Sequence, residues 1–323
     1  MDIGLKEILE AQRTIQGKVQ RTPFVLSPML SDLTKGKIYF KCENYQTTGS
    51  FKLRGALNKM MALTEREKAC GVVTASAGNH AQGVAFAAQK FCINAKIVIP
   101  ENGSKTKIEN TRCMGANVVI AGRDYDESEE KAWIISKEEG RIYVHAFNDP
   151  HIWAGQGTIG LEMVQDIPDL DIILIPAGGG GLFRGVATAV KSINPNIEVY
   201  AVQPETSTPW YTAFKNGAYT RVKMFDSLAD GLTGDIAADM VPDFNRLADD
   251  VLLVTEEEIA KGMYWLIKQQ HMIVEGSGAV GVSVLINKKL NAADKKVGII
   301  LTGCNVDAKI IKDILNRYEI YRA

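Results

Sequence analysis

Asp171-Ile172-Ile173-Leu174-Ile175-Pro176-Ala177-Gly178-Gly179-Gly180-Gly181-Leu182 runs from an unbroken apolar segment directly into four adjacent glycines, and residues 183–192 continue with helical spacing. A short apolar run of this kind reads as a strand buried on both faces, the sort found in parallel sheets. The glycines need a physical reason. Without Cβ atoms the backbone can curl until consecutive N–H groups face one anion, and the following helix adds its positive end, which suits a phosphate. A tight strand-to-helix turn with close packing is the other reading of the same residues. A dinucleotide fingerprint fits poorly, because the loop lies deep in the chain and Gln203 stands where an acid for a ribose hydroxyl would be expected.

The rhythm repeats in both directions. Downstream, residues 198–203, 251–254 and 297–302 read as strands, and Thr255-Glu256-Glu257-Glu258 as a capping box opening the helix that carries Trp265. Upstream, residues 71–74, 95–99, 117–120 and 141–144 are apolar runs separated by helical stretches, with a capping box at Thr64-Glu65-Arg66-Glu67 and helix stops at Gly115 and Gly140. Before them come an amphipathic first helix, an extended segment at 21–28 with two prolines, a short helix at 29–34 and a strand at 38–41. Strands alternating with helices predict two α/β units, the second beginning near Trp153, with ligands in the crevice at the strand C-terminal ends.

Composition narrows the partners. The chain has 323 residues, 46% hydrophobic and 23% charged, enough to bury a large core and longer than most single domains. Its 37 basic and 38 acidic residues leave a net charge of −1 with no basic stripe, which argues against nucleic acid or an anionic membrane and for a small-molecule partner. No apolar run is long enough to span a bilayer, and the first ten residues lack the apolar core of a signal peptide. The cysteines at 42, 70, 92, 113 and 304 form no CxxC pair and the four histidines no HExxH, so reduced thiols, no metal site and a cytoplasmic location are expected.

Thr48-Gly49-Ser50-Phe51-Lys52-Leu53-Arg54-Gly55-Ala56 carries the candidate catalytic lysine. An ammonium beside an aromatic ring, at a helix N-terminus that repels positive charge, is pushed toward its neutral, nucleophilic form, and neutral lysine makes Schiff bases. A lysine that opens an amphipathic helix and reaches water is the alternative. Thr74-Ala75-Ser76-Ala77-Gly78-Asn79-His80 follows a strand and opens a helix, so Ser76, Gly78 and Asn79 can present hydroxyl, amide and backbone N–H groups to a carboxylate, or Ser76 or Asn79 can simply cap the helix. Thr302, at the end of the last strand, offers one neutral hydroxyl to the same cleft.

Five stretches in order, Ser50-Phe51-Lys52-Leu53-Arg54-Gly55-Ala56, Ser76-Ala77-Gly78-Asn79-His80-Ala81-Gln82-Gly83, Ala154-Gly155-Gln156-Gly157-Thr158, the glycine run ending in Leu182, and Leu301-Thr302-Gly303-Cys304-Asn305, resemble the motifs of fold-type-II pyridoxal-phosphate enzymes, and most of all threonine/serine dehydratases (threonine ammonia-lyases), with serine racemase a near relative. The resemblance implies a tryptophan synthase β-subunit-like fold of two open, mostly parallel sheets with flanking helices. It divides the chain into a large cofactor-binding domain, 1–48 with 152–323, and a small α/β domain, 49–151. It implies pyridoxal 5'-phosphate held covalently by Lys52, with Phe51 against the pyridine ring, Asn79 on the ring hydroxyl, Gly178, Gly179, Gly180, Gly181 and Leu182 on the phosphate, and Thr302 facing the pyridine nitrogen. Ser76, Ala77, Gly78, Asn79 and His80 would meet the substrate. A neutral hydroxyl favours a pyridinium less than a carboxylate would, leaving a weaker electron sink that suits β-elimination. The expected activity is conversion of L-threonine or L-serine to a 2-oxo acid and ammonia, in amino-acid catabolism or isoleucine biosynthesis, by a homo-oligomer (dimer or tetramer). The rivals are a racemase or β-replacement synthase on the same scaffold and, outside it, a nicotinamide-dependent dehydrogenase. Serine racemase has a second serine where this chain has Ala77, and a metal-binding glutamate where it has Gln203. The end of the sequence soon after the Thr302 motif matches the short, catabolic type.

Overall fold

Alternating burial makes the strands. In Ile172–Pro176, Ile173 and Ile175 face one apolar cluster with Phe183, Val186 and Trp210, while Ile172 and Leu174 face another with Phe40, Val280 and Ile299. Both faces are covered, as a parallel sheet requires. A computed structural model describes residues 3–101, 103 and 105–319. It contains ten strands: β1 Phe24–Leu26, β2 Lys37–Cys42, β3 Val72–Ala75, β4 Ala95–Ile99, β5 Asn117–Ile120, β6 Ile142–Tyr143, β7 Ile172–Pro176, β8 Glu198–Pro204, β9 Asp250–Val254 and β10 Lys296–Leu301. They form a six-stranded sheet in the order β1-β2-β10-β7-β8-β9 and a four-stranded sheet in the order β5-β4-β3-β6. Every pairing is parallel except that of β1 with β2. At the centre of the large sheet Ile299 sits opposite Phe40 on one side and Leu174 on the other.

The α/β architecture with two mostly parallel sheets and flanking helices is the one expected. The extended, proline-flanked segment at 21–28 supplies the antiparallel edge strand, where a missing N–H is harmless. Both capping boxes form: Thr64 with Glu67 and Thr255 with Glu258 exchange side-chain and backbone hydrogen bonds. The run at 141–144 yields only a two-residue strand, because the Val144 carbonyl is taken by the Thr74 hydroxyl, 2.7 Å away, and the chain leaves the sheet there. The second α/β unit, expected to begin near Trp153, opens with a helix that starts at Pro150, capped by the Asp149 carboxylate, so the expected division at 151/152 falls inside the first turn of that helix. No helix among the described residues is long and apolar enough to cross a membrane.

Three helices are packed backbone to backbone: Lys52–Ala62, Pro150–Asp166 and Gly181–Ile193. A Cβ on Gly155 would stand 2.6 Å from the Cα of Gly55 and 2.7 Å from the Arg54 carbonyl oxygen, and one on Gly185 would stand 2.2 Å from the carbonyl oxygen of Trp153. Glycine is therefore required at both crossings, and the Gly155-Gln156-Gly157 motif is explained by this approach. Beside it lies a wholly buried cluster in which Arg54 donates to Glu43 at 2.8 Å and Glu162 at 2.7 Å, and Lys41 donates to Glu162 at 2.5 Å. Two cations and two carboxylates cancel, so the helix carrying Lys52 is anchored to the turn after β2 and to the central helix without an unpaired buried charge.

Candidate active site

Three of the sequence motifs, and one further segment, lie beyond the carboxyl ends of parallel strands. Ser76 to Asn79 follow β3, His145 to Asn148 follow β6, the glycine run follows β7, and Thr302 to Asn305 follow β10. Lys52 starts the helix Lys52–Ala62, with Phe51 as its N-cap residue, and the Phe51 N–H donates to the Thr302 carbonyl at 3.0 Å. The Lys52 amine lies 5.3 Å from the centre of the Phe51 ring and donates to the backbone carbonyl of Ala146 at 3.0 Å. Burial pushes its pKa down from 10.5 to about 8, against the pull of the Glu275 carboxylate. It is an enclosed amine whose neutral form is far more accessible near physiological pH than that of a solvated lysine.

Asn79 opens the helix Asn79–Lys90 and does not cap it with its side chain. Its amide nitrogen instead donates to both oxygens of Glu275, at 3.0 and 2.9 Å, and its oxygen accepts from Asn305 at 2.7 Å. The Thr302 hydroxyl also donates to Glu275, at 3.0 Å. One buried carboxylate thus fixes both groups that were expected to face a pyridine ring. With its proton committed to Glu275, Thr302 presents oxygen lone pairs. Ser76 accepts from the Gly78 N–H at 3.1 Å and tightens its loop, while a Cβ on Gly78 would meet nothing within 4 Å, so the Ser76-Ala77-Gly78 turn borders open space.

The His80 ring, expected to meet the substrate, is buried; Nε2 donates to the Val144 carbonyl at 3.1 Å, and burial, aided by the charge of Lys52, lowers its pKa to about 3. It buttresses the end of β6, leaving only its backbone N–H to the loop.

The glycine run serves packing and binding together. Gly180 has φ +93°, and Cβ atoms on Gly179, Gly180 and Gly181 would stand 2.3 Å from Phe147, 2.3 Å from Trp210 and 2.7 Å from the Phe147 carbonyl oxygen. Close packing accounts for the absence of side chains on the inner side. The helix Gly181–Ile193 begins at the loop, no side chain caps it, and its first-turn N–H groups have no intrahelical acceptor. These N–H groups form a candidate anion cradle. Since the loop packs on Phe147 and the Lys52 amine on Ala146, anion cradle and amine adjoin consecutive residues. These groups fit a phosphorylated aldehyde: an amine for the carbonyl carbon, N–H groups for the phosphate and hydroxyl and amide groups between them.

Sequence reasoning missed Glu275, Ala146, His145 and Phe147. Glu275 had a signal, an acid between Val274 and the small-residue run Gly276-Ser277-Gly278-Ala279 that forms the buried helix Gly276–Ile286. The Ala146 carbonyl had none.

Residues 15–303 match the model of the family described as "Pyridoxal-phosphate dependent enzyme". An L-threonine ammonia-lyase of Thermotoga maritima is 46% identical over 98% of this chain and 79% of its own length. The catabolic L-threonine dehydratase TdcB of Escherichia coli is 38% identical over 97% of this chain and 96% of its own. The structure of maize serine racemase superposes with a TM-score of 0.93 at 33% identity, covering 99% of each chain. Amine, anion cradle and sequence agree, and the chain belongs to the family of pyridoxal-phosphate dependent enzymes.

Proposed function

We propose that the protein is a pyridoxal-phosphate dependent ammonia-lyase that converts L-threonine or L-serine to a 2-oxo acid and ammonia, with Lys52 as cofactor anchor and general base. The observation that carries the reading is the Lys52 amine, its pKa lowered to about 8 and its N–H donated to the Ala146 carbonyl beside the glycine loop, in a chain 46% identical to an L-threonine ammonia-lyase. When bound, pyridoxal phosphate supplies the electron sink that makes the α-proton of an attached amino acid acidic. The backbone N–H groups of Gly178, Gly179, Gly180, Gly181 and Leu182, in the loop and the first turn of the following helix, would hold its phosphate, and Phe51, Asn79 and Thr302 would surround its ring. The turn of Ser76, Ala77 and Gly78, with the helix N-terminus at Asn79, receives the substrate carboxylate. Lys52 in its neutral form takes the α-proton and returns a proton to the β-hydroxyl, which leaves as water. The enamine released rearranges to an imine, and water hydrolyses it to the 2-oxo acid and ammonia.

A racemase reading is supported by the likeness to maize serine racemase. It requires a proton donor on the face of Cα opposite Lys52, and Ala77 has none to deliver. Incubation of L-serine, sampled while substrate remains, is expected to yield pyruvate and ammonia with little D-serine by chiral chromatography, Ala77→Ser to raise the D-serine fraction, and Lys52→Ala to lose turnover and the borohydride-sensitive cofactor absorbance. Turnover near wild type in Lys52→Ala would remove the lysine assignment; D-serine formed as fast as pyruvate would establish the racemase. We further propose the domain division 1–48 with 152–323 and 49–151, and a cytoplasmic homo-oligomer. The exposed apolar side chains Val25, Leu26, Met29 and Leu33, at and beside the edge strand β1, support the oligomer, which light scattering on the purified chain would test.

A further inference from the structure

The Ala146 carbonyl that receives Lys52 is one half of a planar peptide unit whose other half is the N–H of Phe147. In a trans peptide the two point in opposite directions, so whatever fixes the N–H fixes the carbonyl. That N–H donates to Nδ1 of His145 at 3.2 Å, and the next one, of Asn148, donates to the same nitrogen at 2.9 Å. Nδ1 must therefore carry a lone pair, which leaves the ring proton on Nε2. Nε2 faces Glu129 Oε1 at 3.8 Å, and the same carboxylate oxygen accepts from the Tyr143 hydroxyl at 2.8 Å and from the Tyr125 hydroxyl at 3.2 Å. Trp133 stacks on Tyr143 with ring centres 3.9 Å apart, closing the arrangement on its outer side.

We propose that His145 is a positioning residue for Lys52: as a neutral imidazole that accepts the Phe147 and Asn148 N–H groups at Nδ1, it locks the 146–147 peptide so that the Ala146 carbonyl holds the lysine amine in its working direction. A neutral amine has two N–H bonds and one lone pair, and donating one N–H to a fixed acceptor aims the lone pair elsewhere, toward the proton it takes. If the peptide turned over, the Lys52 acceptor and the Nδ1 hydrogen bond would be lost together. The charged groups acting on the ring are Glu129 and Asp149, which favour its protonation, Lys52, which opposes it, and Asp239, which favours it; burial outweighs them and keeps the ring below its ordinary pKa.

The inference rests on Lys52 as the base, and its test separates the two. In the holoenzyme, His145→Leu is expected to lower kcat by about tenfold or more while KM for L-threonine stays within about threefold, the pattern of a misaimed base. In the cofactor-free chain, the midpoint of Lys52 reactivity toward pyridoxal phosphate is expected to fall by about one unit, because the carbonyl stabilises the ammonium. His145→Asn, which restores an acceptor oxygen near the Nδ1 position, should recover both. Wild-type kcat and midpoint in His145→Leu, or a His145→Asn as impaired as His145→Leu, would overturn the proposal. Nitrogen NMR of the wild-type chain provides a readout that needs no variant to fold in the leucine form: an unprotonated Nδ1 with Nε2–H is expected at neutral pH, and the opposite tautomer or an imidazolium would overturn the lock even if Lys52 proved to be the base. Failure of the base assignment would show instead as turnover in Lys52→Ala.

Discussion

A single amine sets the chemistry, and its titration can be followed directly. Because burial brings Lys52 from 10.5 to about 8, the rate at which the cofactor-free chain captures pyridoxal phosphate should rise about tenfold per pH unit below 8 and level off above it. Absorbance stopped-flow across pH 6 to 10 measures this, and a midpoint near the ordinary lysine value would show that the amine is hydrated. The direction of the shift was legible in the sequence, from Phe51 and the helix start. Its partners were not. Lys52 meets a backbone carbonyl 94 residues away, and Asn79 meets Glu275 at a separation of 196. A carbonyl has no residue type to read, and a lone glutamate declares its role only when the fold brings donors to it.

Among the elements, buried strands and their glycine punctuation were the most readable features, since both faces of β7 and β10 are apolar and no solvated alternative exists. The glycine loop was readable as an anion site or as a close-packed turn, but the partners of the packing, Phe147 and Trp210, lie far from it in the chain and emerged only from the fold. Glycines in this molecule consequently divide into two kinds that thermal denaturation can separate. Gly185→Ala places a methyl group 2.2 Å from a carbonyl oxygen and is expected to cost about 1–3 kcal/mol through overpacking. Gly78→Ala meets nothing within 4 Å at φ −122° and should leave the melting temperature within about 2 °C. Equal melting temperatures for the two variants would contradict the packing described for the helix crossings.

At the scale of the whole molecule, stability is linked to the histidines around the site. His80 has an ordinary pKa of 6.5 and a folded value of about 3, and His145 is also held below its ordinary value by burial. A depressed folded pKa means that, as pH falls, the unfolded chain takes up protons that the folded chain does not. The associated stability is fully present above pH 6.5 and is lost progressively as pH falls toward 3. Urea midpoints should therefore decline from pH 6.5 downward, and more shallowly in His80→Asn; equal slopes in the two proteins would exclude His80 as the source. The three glycine-packed helices have a different consequence. Lys52 begins one outer helix and the glycine loop leads into the other, with a single helix between them that touches each through peptide atoms at the glycine crossings. With Lys52 and the glycine loop as the two ends of the proposed site, the spacing between them follows from main chains stacked at the glycine crossings, which no rotamer change can alter. Such a spacer keeps its length while side chains elsewhere hop and the surrounding loops breathe, so the molecule measures its cofactor against covalent geometry.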